Sequence, residues 1–405
     1  MKRESKLLSR FHGQTDRMKI EELKLINFRN YTRETIFPHE GINLFFGPNG
    51  SGKTNLLEAI HYCALGKSHR VSNDQNVVRN GENLASCSMS VRSRMVRRDI
   101  TVHIAPNETV KKEIEIDHKK IRRFSELMGC LQCVIFSPED LGLIREGPSL
   151  RRRYMDMMIS QLNRGYFIAL QQYRLGMEQR NALLKTCRIN PGTSRFTLED
   201  FERAMAVQAA VIVTERRMMG EKLSRLAMET YKSISGQEKE EFSLIYHSSL
   251  RDEEKIEEAL MRHLRENREE DIRLGITSVG PHRDDLILTL NKKNMKMYAS
   301  QGQIRTAALS LKLSQMKALK MISGEDPVLL LDDVMSELDR NRRTRLLKEI
   351  GSYQTFITCT DETDLEDSRA HRSYRVSAEN GKGTVTETSS GISGEKPTLC
   401  EPDFS

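Results

Sequence analysis

Apolar and polar residues alternate over 18–31, a period that predicts a strand with one face on a core and suits the edge of a sheet. A short apolar strand at 41–46 then runs into a glycine-rich segment, and from Thr54 through Ile60 the chain reads as a helix. Between about 148 and 268 the texture changes to long, charged, helix-period sequence, interrupted near Asn190, Pro191 and Gly192 and again near Gly236. Alternation returns at 284–290, a helix is expected over 301–321, and 328–331 and 353–358 read as buried strands of an α/β sheet. The pattern divides the chain into a head in two halves, 18–136 and 275–385, around a helical insertion at 137–274. Residues 1–17 are expected to lie outside the fold, and 386–405 to form a disordered tail.

The glycine-rich segment is Gly47, Pro48, Asn49, Gly50, Ser51, Gly52, Lys53, Thr54. In such a loop the glycines let backbone N–H groups converge on a polyphosphate, and the following helix adds its positive end. Lys53 would reach the β- and γ-phosphates and Thr54 would hold Mg²⁺, so ATP and Mg²⁺ are the expected ligands. A second motif sits at the end of the apolar run 328–331, where Asp332 and Asp333 fall at the carboxyl edge of the sheet. Asp332 is the expected Mg²⁺ contact and Asp333 the group that orients or activates attacking water. Lys53 and Asp332 lie 279 positions apart, far more than one βαβ unit spans, so something large is inserted between two halves of a nucleotide site.

Ser300, Gln301, Gly302 and Gln303 stand just before a helix and shortly ahead of the 328–331 strand, the order and spacing of the ABC signature motif. Ser336, Glu337, Leu338 and Asp339 resemble the D-loop of the same class. With residues 25–31, 136–141, Gly147, Pro148, Arg151 to Arg153 and the 280–285 stretch, the set resembles the bacterial RecF family over roughly 18–375. That family belongs with the SMC-like ATPases. The resemblance implies an ABC/SMC-type head with an inserted helical lobe. In that class the signature serine and glycine, here Ser300 and Gly302, bind the γ-phosphate held by the opposite subunit, with Gln303 beside them. It further implies an ATP-dependent homodimer on single-stranded, gapped or junction DNA, weak ATPase activity, partnership with RecO and RecR in loading RecA, and support of the SOS response. Two departures stand out. Asp333 occupies the place of a usual glutamate, which implies slow turnover, and Thr360 is the positional match for the histidine that senses γ-phosphate. Gln132 is the candidate Q-loop residue, while the role of His282 and Arg283 reads as structural support.

Composition changes the picture little. A chain of 405 residues with 38% hydrophobic content can build one large or two ordinary cores, and no run approaches the length of a membrane span, so a cytoplasmic protein is expected. Seven scattered cysteines suit no disulfide framework, and Cys130 and Cys133 have the spacing of half a zinc site that nothing completes. The net charge of +7 assigns no partner, but basic clusters at Arg92, Arg94, Arg97 and Arg98, at Lys119, Lys120, Arg122 and Arg123, and at Arg151 to Arg153 could track a phosphate backbone. The last two are the expected DNA contacts. The competing readings are a transporter's nucleotide-binding subunit, against which the charged helical insertion counts, and a small-molecule P-loop kinase, in which the signature segment would be idle.

Overall fold

A computed structural model describes residues 17–71, 73–94, 96–106, 112–190, 196–250, 255–362 and 371–388. The expected N-terminal extension therefore lies outside the described residues save Arg17, which bridges to Asp326, and so does the expected tail beyond residue 388.

The first half of the head comprises β1 (Lys19–Phe28), β2 (Tyr31–Ile36), β3 (Ile42–Phe46), α1 (Lys53–Leu65), β4 (Ala85–Arg92), β5 (Arg97–Ile104), β6 (Lys112–Ile116), β7 (Lys119–Lys120) and β8 (Cys133–Phe136). The helical stretch follows as α2 (Pro148–Leu162), α3 (Arg164–Ile189), α4 (Phe196–Ser235), β9 (Phe242–His247), α5 (Ile256–Glu266) and α6 (Arg268–Leu274). Then come β10 (Asp285–Leu290), β11 (Lys293–Asn294), α7 (Gln301–Ser323), β12 (Val328–Asp332), α8 (Arg340–Ile350), β13 (Thr355–Cys359), β14 (His371–Glu379) and β15 (Lys382–Thr388).

Two six-stranded sheets form the head. One is antiparallel, in the order β2-β1-β4-β5-β6-β7; the other runs β15-β14-β3-β13-β12-β8, parallel except for β15. The alternating 18–31 segment is not an edge strand. The chain reverses after Phe28, with Arg29 at φ 55°, and β2 covers that side, leaving β1 between β2 and β4.

Helix α1 is buried on every side from Leu56 onward: Leu56, Leu57, Ala59 and Ile60 are fully buried, so are Tyr62 and Cys63, and the one buried acid, Glu58, is bonded to Arg29 and Ser68. A helix with apolar residues on every side must be covered on every side. It lies between the two sheets, sharing one core with Leu23 and Leu25 of β1, Leu330 of β12 and Phe356 of β13. The other face of the parallel sheet packs against α7 and the lobe helices in a second core that runs unbroken from Leu329 and Ile357 to Met205 and Ile212. Core sharing on that scale ties the lobe to the head. The helices break where glycine and asparagine predicted, α3 at Asn190 and α4 just before Gly236, whose φ is 65°. One strand was not foreseen. Within the helix-rich stretch, β9 pairs along its length with β10, because alternate side chains Phe242, Leu244 and Tyr246 are buried against α4.

Candidate functional site

Strands β3, β13 and β12 lie side by side, and their carboxyl ends coincide: Phe46 pairs with Cys359, and Thr358 with Asp332. Parallel strands point all three ends at one edge, which is where an open α/β sheet places its ligand. The loop 47–54 leaves β3 at that edge. Gly47 (φ 153°) passes so close to β14 that a Cβ would stand 2.1 Å from the Val376 carbonyl oxygen. Gly52 (φ 110°) would place one 2.5 Å from the Asn30 amide. Asn30 donates to the Ser51 carbonyl at 2.8 Å and Tyr31 to that of Gly52 at 3.1 Å, so the β1–β2 turn props the loop from outside.

Lys53 curls back into the loop and donates to the carbonyls of Gly47 (2.7 Å) and Pro48 (3.0 Å). Burial lowers its ammonium pKa, opposed by the charges of Asp333 and Asp332. Ser51 Oγ is buried with no hydrogen-bond partner among the described residues. An orphaned hydroxyl, a buried ammonium and a left-handed glycine loop at a helix N-terminus suit a polyphosphate.

Asp332 Oδ1 accepts from Thr54 Oγ1 at 2.8 Å and from Thr358 Oγ1 at 2.7 Å. Burial raises the carboxyl pKa, and the two hydroxyls oppose it. A desolvated carboxylate beside a threonine hydroxyl is an oxygen donor set that suits a hard divalent cation such as Mg²⁺. Asp333 is exposed and left-handed (φ 52°); its N–H donates to Thr358 Oγ1 at 2.9 Å, and Ser336 Oγ donates to its carboxylate at 3.1 Å. Thr358 thus donates to one aspartate and accepts from the other. Sequence reasoning missed it, although its signal was present: 353–358 is a strand expected in the same sheet as the 328–331 strand. Glu139, just beyond β8, and Arg70, after α1, act electrostatically on Asp332 and were also missed.

Ser300 and Gln303 form a reciprocal cap on α7. Ser300 Oγ accepts from the Gln303 N–H at 3.3 Å, and the Gln303 side chain accepts from the Ser300 N–H at 2.9 Å. Gln303 also donates to Glu240 at 2.7 Å, a tie to the end of the lobe. Around Gly302 the nearest atoms to a Cβ belong to Arg342, at 3.6 Å. Thr360 is exposed, one residue past β13. No hydrogen bond among the described residues joins Ser300, Gly302, Gln303 or Thr360 to the phosphate loop or to Asp332.

Two expectations fail on geometry. Gln132 is buried at the amino end of β8, where its side chain accepts from Ser323, so it sits at the opposite sheet edge from the phosphates. Arg151 is buried and grips Asp285 through two bonds of 2.7 and 2.9 Å, and it donates to the Leu143 and Glu146 carbonyls; it is not a surface cation. The 280–285 stretch is thereby explained as a brace. His282 Nε2 faces the Thr277 carbonyl at 2.9 Å and must donate to it, which leaves Nδ1 to accept from Tyr173 at 2.8 Å. Asp284 takes Arg216 at 3.0 Å and Tyr246 at 2.5 Å. The cysteines of the half zinc site are buried and free, and no cluster of three or more His, Cys, Asp or Glu side chains that could hold a metal ion occurs among the described residues.

The RecF/RecN/SMC N terminal domain family matches residues 19–384. The DNA replication and repair protein RecF of Ruminiclostridium cellulolyticum is 41% identical over 85% of this chain and 93% of its own length, and that of Clostridium perfringens 40% over 86% and 94%. A solved structure of the recombination mediator protein RecF with ATP matches at TM-score 0.85 and 36% identity, covering 93% of this chain and all of the other. An Smc head domain from Pyrococcus furiosus shares the fold at TM-score 0.56 and 17% identity. This chain belongs to the RecF family of SMC-like ATPase heads.

Proposed function

We propose that the protein is an ATP-switched DNA-binding dimer acting in recombinational repair and replication. The observation that carries the reading is that Lys53, Thr54 and Asp332 are assembled at one sheet edge while Ser300 and Gly302 make no bond to them. A helix N-terminus with a free approach at Gly302 suits a phosphate brought by a second copy. Each ATP is then shared, with the loop 47–54 and Asp332 from one subunit and Ser300, Gly302 and Gln303 from its partner.

Bound Mg²⁺ would supply charge neutralisation for the phosphates, held by Thr54 and Asp332. Lys53 would trade its two carbonyl acceptors for phosphate oxygens. Asp333 is the group placed to orient water, and its short side chain on a left-handed backbone supports slow hydrolysis that reopens the dimer. Thr360 lies at the same edge, as the positional match for the histidine that senses γ-phosphate. The relative solved with ATP supports the nucleotide, and the named relatives support repair and replication as the setting. Single-stranded or gapped DNA, RecO and RecR, RecA loading, SOS induction and a cytoplasmic location extend that same reading. No helix among the described residues is long and apolar enough to cross a membrane. Of the basic clusters, Lys119, Lys120, Arg122 and Arg123 remain the DNA candidates, exposed on and beyond the edge strand β7.

Light scattering with and without ATP tests the switch: a dimer is expected only with ATP, and a monomer at saturating ATP would sink the reading. Charge reversal at 119, 120, 122 and 123 should weaken DNA binding and flatten its dependence on salt.

A further inference from the structure

A cleft of about 570 Å³ opens where the far end of α1 meets α2 and α3 of the lobe. The 13 residues of α1 span about 20 Å, so the cleft stands a helix length from the phosphate loop, none of whose residues line it. Its volume falls within the range of small-ligand sites.

Two features define its chemistry. Its walls carry Lys67, Arg152, Arg153, Arg174 and Arg216 against one acid, Asp156. That acid is already compensated, since Arg216 donates to it at 2.8 Å and Tyr166 at 2.5 Å. Burial, then the charges of Arg153 and Arg174, lower the Lys67 pKa. Lys67 and Arg153 are exposed, and neither is bonded to a carboxylate among the described residues. Burial holds His61 at about 3 and His282 at about 4, so both lining histidines are neutral and the charge belongs to lysine and arginine alone. The second feature is an apolar wall. Phe124 and Phe167, with ring centroids 5.7 Å apart, line it together with Met128, Leu170 and Ile212.

Unpaired cations beside a half-buried aromatic pair match a ligand that carries both phosphate and a flat ring. We propose that this cleft binds a nucleoside phosphate, apart from the nucleotide on the phosphate loop. Lys67 and Arg153 take the phosphate, and Phe124 and Phe167 take the base. Because Lys67 follows α1 while Arg153 and Phe167 lie on α2 and α3, the ligand ties the phosphate-loop helix to the lobe. A free nucleotide and the terminal nucleotide of a DNA strand share this chemistry; a volume of small-ligand size favours the free one.

The test is calorimetry on the full chain saturated with Mg²⁺ and ATPγS, titrated with AMP, with adenosine, and with a 5′-phosphorylated oligonucleotide. AMP should bind in a separate event with a Kd of about 1 mM or tighter. Adenosine should bind about ten-fold more weakly, and so should AMP to a Lys67→Glu/Arg153→Glu variant whose ATPγS affinity is unchanged. Phe167→Ala should weaken AMP by about ten-fold and leave inorganic phosphate binding as it was. Absence of the AMP event, or its persistence in the double variant, overturns the proposal. Binding of the oligonucleotide alone, dependent on Lys67 and Arg153, also overturns it and gives the cleft to DNA.

Discussion

Thr54 Oγ1 donates to Asp332 Oδ1 at 2.8 Å, closing a contact between the first turn of α1 and the end of β12 across 278 positions of sequence. The carboxylate is desolvated there and its pKa is raised, so its charge is held at a cost that the proposed divalent cation would relieve. Asp332→Asn should therefore leave the apo protein at least as stable in thermal melts while the Mg²⁺-dependent gain in ATP affinity disappears. A variant that still binds Mg²⁺ and ATP normally would remove Asp332 from the site.

Thr358 is the prediction that sequence reasoning did not reach. Thr358→Val keeps the shape and removes both the bond to Asp332 and the acceptor for the Asp333 N–H. Loss of an outer partner of this kind lowers metal affinity or turnover by roughly 10- to 100-fold. Thr358→Ser should restore it, and steady-state ATPase assays with Mg²⁺ titration distinguish the two.

The α7 cap made by Ser300 and the phosphate contact proposed for it separate by mutation. As the α7 cap, its replacement by alanine costs on the order of 1 kcal/mol of stability, readable by denaturant melts. As the trans phosphate contact, Ser300→Arg should abolish ATP-driven dimerisation while ATP still binds the monomer, whereas Lys53→Met should lose both. Dimerisation by the Ser300→Arg protein would exclude the shared-site arrangement.

Arg180 is fully buried between Glu202 and Asp271, at 3.0 and 2.7 Å, and its loss leaves the buried Asp271 without its cation and Glu202 with Arg268 alone. Arg180→Ala should destabilise the protein by about 3–5 kcal/mol, measured by urea unfolding. Because Arg180 lies in the lobe, ATP affinity of the protein that remains folded should not change.

His282 sets a pH dependence. Burial, with Arg283 and Arg152 nearby, lowers its pKa to about 4, while the Thr277 carbonyl and Asp271 pull upward. At neutral pH it is uncharged in both folded and unfolded chains. As pH falls from about 6.5 towards 4 the unfolded chain takes up the proton first, so stability declines through that window, by up to about 3 kcal/mol at roughly 1.4 kcal/mol per pKa unit. His61 and His69, held at about 3, add to the decline in the same direction. His282→Asn should flatten the fall in unfolding free energy between those pH values, and an unaltered slope would show that His282 is protonated at its ordinary pKa in the fold.

Local patterning determined much of this protein. The loop 47–54, the strand ending at Asp332 and the cap at Ser300 each depend on neighbours within a few residues, so glycine placement, an apolar run and a serine before a helix were enough to read them. The lobe helices ended where local breakers said they would. What the sequence could not decide was which distant pieces share an edge. Strand order puts β13 between β3 and β12, which brings Thr358 between Asp332 and Asp333, and the parallel pairing of β8 with β12 sends Gln132, which precedes β8, to the far edge. Charge was the least legible property. Arg151 and Arg153 look alike in a basic run, yet about half a turn of α2 separates them, burying the first against Asp285 and turning the second to the cleft. The reason is physical: a side chain's partners across a fold are set by packing over hundreds of residues, and only the assembled structure specifies them.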